Sequence, residues 1–141
     1  MTAEKSIESF GDEALGAARK AILGTEHSYF EAIASKRYPV ACSHLASSVK
    51  RSVVELAGAN QHAACSEVMS ALLTPQASSI ARQEVRGAIK RVRVEGGRAF
   101  IVFHAPGARL YQLPLFVERD QWKVGLLTAS VLAPSASTLA Q

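Results

Sequence analysis

The spacing of apolar residues changes along this chain, and the change falls at about residue 85. Before it, apolar residues recur every three or four positions; after it, they alternate with polar ones. A chain patterned this way folds as helices followed by strands, which places it in the α+β class. Its 141 residues, 48% hydrophobic and 20% charged, suffice for one packed domain.

Residues 4–36 read as one long helix. Ala18, Ile22, Thr25, Tyr29 and Ile33 form its apolar stripe, flanked by Leu23 and Phe30. Gly11, Gly16 and Gly24 each weaken a helix by about 1 kcal/mol relative to Ala, so its start is expected to be loose. Residues 1–17 are accordingly an N-terminal extension or the first part of this helix. Pro39 suits the first turn of a second helix, which carries Val40, Ala41, Leu45, Val49 and Val53 and ends at Gly58. Asn60 is the N-cap candidate for a third, with Ala64, Cys65, Val68, Met69, Leu72 and Leu73 on its apolar face and Pro75 as its stop.

Beyond this point the pattern is that of an antiparallel meander. Gly96-Gly97 is a hairpin turn between residues 89–95 and 98–104, and residues 105–108 turn the chain again. The strand 98–104 is apolar on both faces, with Ala99, Ile101 and Phe103 on one and Phe100, Val102 and His104 on the other, so it is expected in the sheet centre. Residues 109–118 follow, with Tyr111, Leu113, Leu115 and Val117 on one face. Pro114 in this strand marks an edge, a bulge or a bend, because it has no N–H to donate. Trp122, Val124 and Leu126 form one face of the fourth strand, and residues 131–141 read as a flexible tail. The expectation is three N-terminal helices packed on a curved four-stranded antiparallel sheet, shaped as a cone.

This order resembles the nuclear transport factor 2-like, or cystatin-like cone, superfamily over about residues 18–130. The carriers are Tyr29-Phe30-Glu31-Ala32-Ile33, the run from Tyr38 to Leu45, the hairpin run from Val92 to Ala99, and Gln121-Trp122-Lys123-Val124. Within it, the chain looks like small actinobacterial extracytoplasmic members, many of them lipid-anchored. The superfamily hosts isomerases, cyclases, hydrolases and non-catalytic modules, so the resemblance specifies fold far better than activity.

Cys42 and Cys65 lack zinc-motif spacing and form no Cys-x-x-Cys pair. The residues alone leave open two buried thiols or one disulfide. The resemblance implies the disulfide, since extracytoplasmic members often carry a cysteine in each of these helices, and with it an oxidising compartment. The N-terminus has no apolar h-region, so on this reading a leader, and any lipid anchor it carried, has been removed; otherwise the chain is cytoplasmic. No apolar run reaches the roughly 18 residues of a membrane span.

Catalytic members of the superfamily place acid–base carboxylates inside the cone. This chain has two aspartates, Asp12 and Asp120, the first in the N-terminal segment and the second in a turn. Neither matches that pattern, and no catalytic set is assigned. The candidate ligand-binding residues are Tyr29, His104 and Tyr111, able to present two hydroxyls and an imidazole to a small apolar molecule. Trp122 reads as core. Glu26, His27 and Glu31 look like a carboxylate–imidazole group, but the spacing fits a solvated helix face better than a metal site. Lys90, Arg91, Arg93, Arg86 and Arg98 are the basic cluster in a chain of net charge +4; no aromatic platform interleaves with it, so no nucleic-acid partner is expected. Glu95 and Arg98 pair across the hairpin. No metal or cofactor is assigned.

The sequence therefore supports a non-enzymatic, extracytoplasmic binding or interaction module, with homodimerisation through the sheet face as a further expectation. The alternative is a small isomerase- or cyclase-like enzyme acting on an apolar carbonyl-bearing ligand in the cone.

Overall fold

A computed structural model describes residues 10–56, 64–73, 75–85, 90–105, 109–127 and 130–131. Among them the order is β1 (Asp12–Glu13), α1 (Gly16–Ala34), α2 (Tyr38–Ser43), α3 (Ser47–Glu55), α4 (Cys65–Leu72), α5 (Pro75–Val85), β2 (Lys90–Glu95), β3 (Arg98–Ala105), β4 (Arg109–Glu118), β5 (Gln121–Val124) and β6 (Ser130–Val131). The class is α+β, as the change of period indicates. The sheet is antiparallel and open, in the order β1-β2-β3-β4-β5, with β6 also pairing β4.

Alternation decides which sheet face the helices cover. Val92, Ala99, Ile101, Phe103, Leu113, Leu115 and Val124 are all buried and join one core cluster with Ile22, Tyr29, Phe30 and Ile33 of α1. Burying one of the larger of these side chains, a Val, Leu, Ile or Phe, contributes roughly 1.5–3 kcal/mol. On the opposite face of β3, Val102 is buried against half-buried Phe100 and Leu110 in a second, small cluster. β3 is central, as its two apolar faces require.

The expected helix over 4–36 starts only at Gly16. Gly11 and Gly16 both have positive φ, 48° and 56°, which interrupts right-handed helix, and the chain between them pairs with β2 as β1. Arg93 anchors this segment by donating Nε to the Phe10 carbonyl at 3.1 Å and Nη2 to the Gly11 carbonyl at 2.9 Å. Phe10 packs edge-on against Phe100 at 5.0 Å, with the Arg98 guanidinium over its ring at 5.6 Å. The basic cluster is thus partly taken up in holding the chain's own backbone. Residues 4–9 and Arg86 lie outside the described residues.

The expected second helix is divided into α2 and α3 by residues 44–46. The break has a long-range cause: Val124 of β5 donates to the His44 carbonyl at 2.7 Å and accepts from the Ala46 amide at 2.8 Å. The expected third helix is α4, and Pro75 opens α5 instead of only ending α4, since its fixed φ suits a first turn. The expected caps at Gly58 and Asn60 lie outside the described residues.

Gly96-Gly97 forms the hairpin turn, with Glu95 in register with Arg98. Residues 106–108 lie outside the described residues, but β3 and β4 pair antiparallel on either side of them. Pro114 sits inside β4. The Val117 amide donates toward β3, to Gly97 at 2.8 Å. By alternation, position 114 faces the outer strand, where its missing donor coincides with a bulge. From Leu115 to Tyr111, four steps along β4 are matched by seven along the outer strand, from Val124 to Val131. The expected fourth strand therefore stops at Val124. Leu126 still packs against the core, but from the bulge. The end of the chain, 132–141, lies outside the described residues.

Candidate functional site

Tyr29 and Tyr111 are 0% and 2% exposed. They stand in a row of rings: Tyr29 lies 5.6 Å from Phe30, Phe30 6.0 Å from Phe103, and Phe103 stacks on Tyr111 at 5.9 Å. The Tyr29 hydroxyl donates to the Leu127 carbonyl, which the bulge after β5 brings within reach. Burial pushes this phenol well above its usual range. His104 pairs with Leu110 in the β3–β4 ladder, one step out of phase with the Phe103–Tyr111 pair; its side chain lies outside the described residues. The structure thus places both tyrosines within the packed interior.

One residue of α1 departs from the solvated face expected for Glu26, His27 and Glu31. Glu26 is 0% exposed, whereas His27 and Glu31 stay on the surface, 3.4 Å apart, with Arg37 3.3 Å from Glu31. Glu26 follows Ile22 by four residues and precedes Phe30 by four, so helical spacing alone assigns it to the buried stripe. Its charge argues against that placement, and spacing prevails.

Cys42 of α2 and Cys65 of α4 are joined in a disulfide, with Cα atoms 6.3 Å apart. The open alternative between thiols and bridge is settled in favour of the bridge. It ties α4 to α2, and α2 packs against α1.

A cavity of about 520 Å³ opens beside β5, lined from three separate parts of the chain: Thr25 of α1, Ser43 and His44 at the end of α2, and residues 120–123 of the β4–β5 hairpin. Arg119 and Asp120 make this hairpin tight by adopting positive φ, 52° and 64°. The Lys123 ammonium donates to the Ser43 carbonyl at 2.8 Å and so ties the hairpin to the end of α2. Burial, and then the Lys123 charge, hold His44 below the usual imidazole range, so it is neutral at neutral pH. Trp122 is half-buried, packed on the core from this edge. The outward N–H and C=O of Val124 are bonded to residues 44–46. Two positions earlier, the same alternation turns those of Trp122 outward, where they meet no backbone partner among the described residues.

The sequence marks Trp122 only as a core residue and Asp120 only as a turn residue. Their convergence with Thr25 and His44 has no local signal, because it depends on the contact between α1 and β5.

Among the described residues no group of three or more His, Cys, Asp or Glu is placed to hold a metal ion, and no helix is long and apolar enough to cross a membrane. Comparison with protein-family models, with curated proteins and with solved structures gives no match.

Proposed function

We propose that this chain is a non-enzymatic binding module of the extracytoplasmic space, of the cone-shaped nuclear transport factor 2-like type, and that its ligand seat is the cavity beside β5. The observation that carries the reading is the contrast between two regions. The interior positions of Tyr29 and Tyr111 are filled by a continuous row of rings, whereas the β5 cavity opens to solvent and is lined by groups that donate and accept hydrogen bonds. Its size falls in the roughly 300–1,000 Å³ range of small-molecule sites. The disulfide supports an oxidising compartment. Asp12 and Asp120 are both exposed, so neither supplies the interior aspartate that catalytic members of the superfamily use.

A nuclear magnetic resonance screen of a small-fragment library tests this. Amide shifts converging on Thr25, His44, Gln121 and Trp122 are expected. Shifts converging instead on Tyr29, His104 and Tyr111 would return the seat to the interior.

The second reading, an isomerase- or cyclase-like enzyme, has one observation in its favour: Glu26 is a buried carboxyl one helical turn from Tyr29. Turnover of a carbonyl-bearing substrate that Glu26→Gln abolishes, in a variant that still folds, would establish it over the first.

A further inference from the structure

We infer that the cavity beside β5 takes a neutral saccharide ring; the inference rests on that cavity being the ligand seat. Three features of its lining narrow the ligand class.

The first is charge. Lys123 and Asp120 bring opposite signs, and His44 is neutral at neutral pH. Lys123 is moreover already engaged with the Ser43 carbonyl. Among the described residues that line it, the cavity offers no cluster of cations to a phosphate or carboxylate, and no excess of anions to an amine.

The second is hydrogen-bonding type. The Thr25 hydroxyl, the Gln121 amide and the His44 imidazole each donate and accept, and the Asp120 carboxylate accepts. Trp122 adds a main-chain donor and acceptor along the strand edge. A hydroxyl is the ligand group that answers both kinds of partner, and several hydroxyls on one ring answer several at once. An apolar ligand would strip water from these groups and return no bonds, at a cost of roughly 1–3 kcal/mol per group.

The third is Trp122. Its indole is a rigid ring with an apolar face, suited to pack against the C–H face of a sugar while neighbouring groups bond the hydroxyls at its rim. The half-burial of this residue fixes it against the core, so little side-chain order is lost on binding.

Trp122 is the single tryptophan in the chain, so its emission reports on this site alone. The experiment titrates the whole protein with glucose, galactose, mannose, N-acetylglucosamine and disaccharides of each, and in parallel with inorganic phosphate and with laurate. The expected result is a saturable emission change with at least one sugar. Asp120→Asn and Gln121→Ala should each weaken it by about tenfold without moving the melting temperature. A response to phosphate or laurate but to no sugar would overturn the saccharide assignment while leaving the cavity as the seat. Silence to every probe would overturn both. A sugar response unchanged in both variants would overturn the assignment to this cavity.

Discussion

The carboxylate of Glu118, at the end of β4, caps the start of α3 through Ser47. The Ser47 amide donates to both carboxylate oxygens, at 3.1 and 3.0 Å, and its hydroxyl donates to Oε1 at 2.9 Å. The N-cap residue itself is Ala46, which has no side chain able to do this. A residue remote in sequence therefore supplies the acceptor that a helix start needs.

These hydrogen bonds, first from the amide and then from the hydroxyl of Ser47, hold the Glu118 carboxyl below its ordinary range. The cap is therefore complete above the ordinary carboxylate pKa and is lost as pH falls through the lowered one. Glu118→Gln should lower stability by about 0.5–1 kcal/mol at neutral pH. Thermal melts across pH should show the gap between wild type and variant narrowing below about pH 4.

Tyr29→Phe removes the donor to the Leu127 carbonyl and keeps the ring. It should cost about 1–2 kcal/mol, read from denaturant unfolding, because a carbonyl in the bulge loses its partner. Burial raises the Tyr29 pKa, so folding favours the protonated phenol. The associated stability is intact below the ordinary phenol pKa and declines as pH rises past about 10. An alkaline absorbance titration should show phenolate appearing together with unfolding, and Tyr29→Phe should reduce the amplitude of that component.

The Cys42–Cys65 bridge closes a sequence separation of 23 residues. In the chain-entropy account this contributes about 3 kcal/mol. The double variant Cys42→Ser/Cys65→Ser should lose that much unfolding free energy. Thiol titration of the denatured, unreduced protein should find no thiol, and reduction should add the mass of two hydrogens.

Two glycine-to-alanine changes should act with opposite signs. A Cβ at Gly125 would lie 2.4 Å from Phe116 Cε2 and 3.1 Å from the Pro114 carbonyl oxygen, so Gly125→Ala should destabilise by about 1–2 kcal/mol. A Cβ at Gly24 meets nothing within 4 Å on an exposed helix face, so Gly24→Ala should stabilise by up to about 1 kcal/mol. Melting temperatures of the two variants on either side of wild type would check both.

Features encoded by adjacent residues were legible in the sequence. The alternation from Val92 to Val124, the turn at Gly96-Gly97, the central place of β3 and the stripe from Ile22 to Ile33 are all local patterns. The strand at Asp12–Glu13 and the break between α2 and α3 were not, because the partners that draw those segments out are Val94, Arg93 and Val124. Pro75 is equally consistent with ending one helix and starting another, and sequence alone favours neither. The cavity is a product of tertiary packing: Thr25, His44 and Trp122 are each unremarkable where they stand in the chain.

The backbone bonds that split α2 from α3 also govern how this protein meets copies of itself. An edge strand with bare amides and carbonyls is a template on which further strands assemble, and long smooth edges are where aggregation begins. Here the turn at 44–46 occupies both groups of Val124, and the opposite border of the described sheet, β1, is two residues long and acidic at both. Substitutions that lengthen α2 into α3 would uncover Val124. Their effect would be felt first as a loss of solubility on concentration or refolding, before the melting temperature gave any warning.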